Sequence, residues 1–237
     1  MSVPLLHFEK IKKNDGDVRF INVYKGVPIS YSGKVIEIGV TSVRFTVHPN
    51  QILCIRDEGR SHLVCPDLPK VVKGNYLSAD IPAQTVLLTA FEESQHTIGT
   101  RTFIRVHPKD LIDVIVISDS NPDRETKTLR GSLVDISIKG AAIYLSLSIA
   151  NLNALSKGDT ADVVLFLPDS KHGEQQISLK GAVKNISQGA SGKRSVRLGL
   201  QTFPDRNAET FLARYVAQRQ TDILKEIREK VELEMRF

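Results

Sequence analysis

From Val18 onward the apolar positions fall in short runs with a period of two. Val43, Phe45 and Val47 alternate with Arg44 and Thr46, which turns one strand face to a core and the other to water and predicts antiparallel pairing. Runs rich in Val, Ile, Phe and Tyr also cover Val18 to Tyr24, Lys34 to Ile38, Ile52 to Arg56, His62 to Cys65 and Thr85 to Phe91. Lys25-Gly26, Ser32-Gly33, His48-Pro49-Asn50, Glu58-Gly59 and Lys73-Gly74-Asn75 punctuate them, the spacing of a small all-β barrel or sandwich over residues 15–97. A second set predicts another barrel over 111–204: Leu111 to Ser118, Thr128 to Ile136, Ala141 to Leu145, Ala161 to Leu167, Gln176 to Ile186 and Ser195 to Thr202.

The ends read differently. Residues 1–14 form a leader in which Leu5, Leu6, Phe8 and Ile11 suit one or two amphipathic turns before Asp15-Gly16-Asp17 breaks them. After Pro204 the period becomes helical: Phe211, Leu212, Tyr215, Val216, Ile223, Leu224, Ile227 and Val231 recur at three-to-four spacing, with Asp205 or Asn207 placed to cap the start. A helix over 205–237 is roughly 45 Å long, more than one small barrel covers. Its apolar stripe therefore either folds back over both barrels or meets a second copy of the chain or another partner. The whole reads as mainly β, two small antiparallel barrels in tandem with a C-terminal α-helix.

The two halves echo each other. Gly33 to Phe45 lines up with Gly131 to Ile143, apolar position on apolar position, with Glu37, Gly39 and Ser42 where the second copy has Asp135, Ser137 and Gly140. Two readings stay open: a tandem repeat whose first copy lacks the polar groups of the second, or chance likeness between two β-rich stretches. The join falls in the polar stretch Glu92 to Thr100, and residues 98–110 form the linker.

Composition narrows the function. The chain of 237 residues carries a formal charge of +5 with no block of Lys or Arg, which suits an anionic ligand. Without tryptophan, a concentrated basic face or an aromatic-basic signature, nucleic acid ranks low as a partner. Cys54 and Cys65 flank the expected turn at Glu58-Gly59 out of register with each other, so no disulfide is expected and a reducing cytoplasm fits. No apolar run approaches the eighteen or so residues of a membrane span. The six histidines lack metal-ligand spacing, neither cysteine has a C-x-x-C partner, and no nucleophile elbow, P-loop or dinucleotide fingerprint occurs; neither a metal nor enzymatic activity is expected.

Candidate chemistry lies in two places. Arg101 and Arg105 stand four apart on the linker, and Asp135, Ser137 and Gly140 follow about thirty residues later. A guanidinium is planar, permanently charged, grips phosphate bidentately and lies flat on an aromatic base. A carboxylate accepts the paired N–H donors of a guanine edge, and glycine allows positive φ and close backbone approach. Two arginines at this spacing alone mean little: Arg56 and Arg60 repeat it inside what reads as a hairpin turn.

The combination resembles the PilZ family, with its R-x-x-x-R arm and [D/N]-x-S-x-x-G strand motif, both matched at every defining position. Arg197-Leu198-Gly199-Leu200-Gln201-Thr202-Phe203 resembles the family's closing strand, so the likeness runs from Thr100 to Phe203. It implies a bacterial receptor for cyclic di-GMP. Arg101 and Arg105 would clamp phosphates and stack on guanine, Asp135 and Ser137 would hold a guanine edge or fix an arginine, and Gly140 would keep the strand end open. Thr100 and the backbone at His107 would be further contacts. Thr100 stands where many members carry another arginine, leaving one bound molecule or a stacked pair open. The flagellar-brake type places the arm on the linker between an N-terminal barrel and the PilZ barrel, so that ordering the arm swings one against the other. The resemblance also implies an unidentified protein partner in a flagellar motor, secretion or polysaccharide machine to which this cytoplasmic protein is recruited, with effects on motility, adhesion or biofilm formation. A PilZ-like interaction module with little nucleotide binding is the alternative.

Overall fold

The computed structural model describes residues 3–94, 102–119, 127–146, 155–169, 173–188 and 195–236. Within them the chain forms two closed antiparallel barrels of six strands each and three helices. It divides into two compact units, Met1–Arg101 with Ile223–Phe237, and Thr102–Asp222.

Unit 1 opens with helix α1 (Val3–Lys13). Leu5, Phe8 and Ile11 are buried at three-residue spacing, so the leader is a helix of about three turns rather than one or two. It stops when Asp15 takes a φ of 51°, its N–H reaching Lys12 O and that of Gly16 reaching Ile11 O, a Schellman ending. Phe8 meets Phe45 edge-on at 5.5 Å and Phe91 at 5.0 Å, which ties the helix to the aromatic core.

Strands β1 (Asp17–Tyr24) and β2 (Val27–Ile38) are joined by Lys25 and Gly26, both at positive φ, the primed turn that matches strand twist. After β3 (Ser42–Val47) comes a correction: Pro49–Glu58 is helix α2, not a Pro-Asn turn followed by a strand over Ile52 to Arg56. His48 Nδ1 accepts the N–H of Asn50 at 3.2 Å, Pro49 presets the first helical φ, and Gly59 ends the helix at φ 69°. Arg56 to Arg60 thus spans a helix end rather than a hairpin. Strands β4 (Arg60–Val64), β5 (Val72–Asp80) and β6 (Thr85–Glu93) close the barrel in the order β1-β2-β3-β6-β5-β4. Ser32-Gly33 and Lys73-Gly74-Asn75, expected as turns, lie inside β2 and β5. Gly33 is there for space, since a Cβ would fall 2.1 Å from Thr46 O. Cys54 and Cys65 are buried free thiols, and burial pushes the Cys54 thiol up to about 12.

Unit 2 contains β7 (Asp113–Asp119), β8 (Thr128–Ser137), β9 (Gly140–Ser146), β10 (Thr160–Asp169), β11 (Gly173–Gln188) and β12 (Ser195–Phe203). They close as β7-β8-β9-β12-β11-β10, strand for strand the order of unit 1. The aligned hairpins agree in detail. Pairing of β2 with β3 shifts register between Val35 and Glu37, and that of β8 with β9 between Leu133 and Asp135, the corresponding place. Gly131 repeats the role of Gly33, with a Cβ 2.3 Å from Tyr144 O.

Helix α3 (Arg206–Glu234) starts at Asp205, whose Oδ1 accepts the N–H of Ala208 at 2.8 Å. Its first part, in unit 2, buries Ala208, Phe211, Leu212, Val216 and Arg219; from Ile223 it belongs to unit 1 and buries Ile223, Ile227 and Val231. In unit 1 Arg56 holds Glu234 with two hydrogen bonds of 2.7 and 2.6 Å, Lys230 Nζ lies 2.9 Å from Tyr24 Oη, and Lys25 pairs with Glu226. Among the described residues no helix is long and apolar enough to cross a membrane.

Candidate functional site

Thr100 and Arg101 lie outside the described residues, so the arm is seen from Thr102 onward. Val106 is fully buried and forms an antiparallel bridge with Ile136 of β8: its N–H reaches Ile136 O at 2.9 Å, and Ile136 N–H reaches Val106 O at 3.0 Å. Strand β7 pairs with β8 only as far as Ser132. The arm therefore continues the same edge of β8 where β7 has ended.

This docking brings Arg105 to Asp135. Arg105 Nη1 lies 3.2 Å from Asp135 Oδ1, and Arg197 Nη2 of β12 lies 2.8 Å from Oδ2. Asp135 is 5% exposed, and each of its oxygens carries a guanidinium. The register shows what lies beside this cluster. Asp135 faces Ala142 on β9, Ala142 faces Gly199 on β12, and Gly199 faces Asn185 on β11. Leu133, Ile143 and Leu198, the adjoining row, are buried in the core, so by alternation Asp135, Ala142 and Gly199 share the opposite face, on which Asp135 and Ala142 are themselves only 5% and 2% exposed. Tyr144 stands directly opposite Arg197. The result is a floor of small residues bordered by two arginines.

Gly140 and Ser137 close the hairpin beside it. Ser137 Oγ donates to Gly140 O at 3.1 Å and is buried. A Cβ on Gly140 would lie 3.0 Å from Leu200 O, 3.4 Å from Arg105 Nη2 and 3.5 Å from Ser137 Oγ. Gly140 is not among the glycines at positive φ; a side chain there would crowd the Leu200 carbonyl and only touch the arginine. The His107 side chain is exposed, and its carbonyl accepts from Arg219 Nε at 2.9 Å. Of the residues singled out from the sequence, Arg105, Asp135, Ser137 and Gly140 come together, with the His107 backbone two residues along the arm. Arg197 was assigned no role from the sequence. The available signal was its outward place beside Leu198 and Gly199 on the closing strand.

Chemically, two planar cations share one carboxylate and keep further N–H donors for an incoming anion. The guanidinium faces and the small floor fit a flat heterocycle. Unit 1 has the same backbone without the room: Glu37 faces Arg44, whose Nε lies 3.3 Å from Glu37 Oε2, and Arg44 faces Leu87. Arg44 and Leu87 stand where unit 2 has Ala142 and Gly199. The other arginine pair is diverted too, since Arg56 is spent on Glu234. Among the described residues no group of three or more His, Cys, Asp or Glu is placed to hold a metal ion.

A family model for the PilZ domain matches residues 99–218. No curated protein sequence matches the chain. Among solved structures, the Bacillus subtilis inhibitor of motility MotI/DgrA is similar at 14% identity and a TM-score of 0.43, covering 87% of this chain and 96% of its own. The K. pneumonia MrkH–c-di-GMP complex is similar at 13% identity and a TM-score of 0.41, covering 95% and 94%. YcgR from Escherichia coli in complex with c-di-GMP is similar at 15% identity and a TM-score of 0.39, covering 96% and 92%.

Proposed function

The chain belongs to the PilZ family, and from that premise we propose that it is a receptor for cyclic di-GMP whose binding site lies on the outer face of β8, β9 and β12. The observation that carries the proposal is Asp135, buried and gripped on both oxygens by Arg105 and Arg197 beside a floor of small residues. A cyclic dinucleotide offers what such a surface recognises: two phosphodiester anions and two flat purines. Arg105 and Arg101 clamp the phosphates and stack on a base, and Arg197 adds a third cation. Asp135 keeps the arginines aimed and accepts from a guanine edge; Ser137 and Gly140 hold the hairpin end open. Thr100 and the His107 backbone are the outer contacts. No bond is made or broken in this role, so the protein acts as a receptor rather than an enzyme.

Because the arm lies on the segment between the two barrels, a ligand that orders it changes the freedom of one barrel against the other. The response passes to a protein partner in a process such as motility, adhesion or biofilm formation. Leu224, an exposed apolar residue of α3, is a candidate contact for a second copy of the chain. An unchanged mass in sedimentation of Leu224→Glu removes that part of the proposal.

The deciding experiment is calorimetric titration of the full chain with cyclic di-GMP. Wild type is expected to bind at micromolar concentration or below, about −8 kcal/mol, and Arg105→Ala to give no measurable heat. Wild type without heat overturns the receptor reading. The cluster, already paired within itself, then favours the interaction module that needs no nucleotide.

A further inference from the structure

In unit 2 the buried face of α3 runs through Phe211, Leu212 and Val216 to Arg219. Arg219 is 4% exposed at a position where the periodicity calls for an aliphatic side chain. A buried guanidinium is costly unless acceptors replace the lost water. One acceptor is the carbonyl oxygen of His107, 2.9 Å from Arg219 Nε.

Three consecutive arm residues are thus tied at three points. The Arg105 side chain reaches Asp135, the Val106 backbone is bridged to Ile136 on β8, and the His107 carbonyl is held from α3. The first tie is the one the nucleotide would use. The other two determine whether Arg105 is in place before a ligand arrives.

We infer that Arg219 is a positioning residue for the anion site, a latch from α3 that holds the arm against β8 so that Arg105 is presented beside Asp135. The inference rests on the receptor reading above and goes beyond it, because Arg219 touches the arm backbone rather than the ligand. Only the docked arm is competent to bind, so apparent affinity scales with the docked fraction. A charge-assisted hydrogen bond to a carbonyl changes such a population by roughly tenfold.

The test uses the full chain. Arg219→Met keeps the length and apolar stem and removes the donors; Arg219→Lys keeps the charge. Gln218→Met is the control: Gln218 lies on the same helix and lines the same cleft of about 400 Å³ as Arg219, but it is exposed and its hydrogen-bond partner is Asp222, one turn along the helix, at 3.0 Å. Hydrogen exchange of the Val106 and Ile136 amides is measured without nucleotide, alongside cyclic di-GMP affinity and thermal melting. Arg219→Met is expected to speed exchange at both amides and weaken binding, each by about tenfold, with Arg219→Lys in between and Gln218→Met within about twofold of wild type. Wild-type exchange at the two amides in Arg219→Met overturns the latch. So does Gln218→Met reproducing both losses, since the effect is then general loosening of unit 2. Should Arg219→Met not melt cooperatively, Arg219→Lys decides by the same two readouts. The exchange measurement needs no ligand, so a wild type that fails to bind defeats the receptor reading while the amides still decide the latch.

Discussion

An ionised carboxylate taken out of water costs several kcal/mol unless cations and hydrogen bonds replace the solvent, and Asp135 has a guanidinium on each oxygen. Whether the outward side of that cluster is open depends on Ala142. Unit 1 carries Arg44 at the matching place, paired with Glu37. Ala142→Arg is therefore expected to copy unit 1: the new guanidinium pairs with Asp135, covers the floor and weakens cyclic di-GMP binding by about a hundredfold or more, close to 3 kcal/mol. Its thermal melt should fall by several degrees, roughly 1–3 kcal/mol, because Ala142 is only 2% exposed and the larger side chain must displace its neighbours. Calorimetry and circular dichroism check the two halves, and binding within about tenfold of wild type means the ligand does not lie on this floor. Arg197→Ala is expected to cost both stability and affinity, roughly 1–3 kcal/mol, because Asp135 Oδ2 stays buried without that partner. Arg105, Asp135, Ser137 and Gly140 were legible through the two motifs by which the sequence resembles the PilZ family, one within the arm and one within a hairpin. Arg197 was not, since it reaches Asp135 through the order β8-β9-β12, which no local pattern encodes. For Gly140 the sequence left positive φ and close approach equally available, and the neighbouring Leu200 carbonyl selects the second.

At the scale of the element, α2 shows how a helix hides in a β-rich pattern. Ile52, Leu53, Cys54 and Ile55 are all buried, so neither period of two nor period of three to four appears, and a short apolar run of this kind is ambiguous. Its caps, His48-Pro49 and Gly59, carried the information; read as turns they suggested a strand. Besides the four buried side chains, a polar network ties α2 to the barrel. Asn22 Nδ2 donates to Glu58 Oε2 at 2.7 Å, Val23 N–H to Glu58 Oε1 at 2.7 Å, and Gln51 Nε2 and Ser61 Oγ both donate to Asn22 Oδ1 at 2.7 Å. Burial raises the Glu58 carboxyl above its ordinary 4.5, with hydrogen bonds from Asn22 and Val23 opposing the shift. Ionising Glu58 thus costs more in the folded chain than in the unfolded one. Its contribution is full below pH 4.5 and is lost as pH rises through the raised folded value. The difference in urea midpoint between Glu58→Gln and wild type is expected to grow in favour of the variant as pH climbs through that window. Measured at several pH values from 4 to 7, a constant difference would show that Glu58 does not titrate differently on folding.

Two lengths of chain connect the units of the whole molecule: the segment between β6 and β7, which carries the arm, and α3, which runs unbroken through the boundary between Asp222 and Ile223. The tandem barrels were legible because alternation and turn residues recur in both halves, and the aligned hairpins share even their register shift. Which apolar positions of α3 each barrel takes was not, because one helical stripe reads the same whichever surface covers it. The two connections differ in kind. A helix of 29 residues keeps its length of about 44 Å whatever binds elsewhere, whereas the described part of the arm is held by the bridge at Val106 and the ties at Arg105 and His107. A ligand shifts a conformational equilibrium only by its differential affinity for the two states, and in the proposed site that difference enters through Arg105, on the connection that carries the arm. Saturating the full chain with cyclic di-GMP is accordingly expected to change the distribution of interatomic distances in small-angle scattering, with no change for Arg105→Ala under the same conditions. Identical profiles for wild type with and without nucleotide, in a sample whose binding is verified by calorimetry, would mean that the arm receives the ligand without moving the units. The signal to a partner would then have to be read directly from the occupied face of β8, β9 and β12.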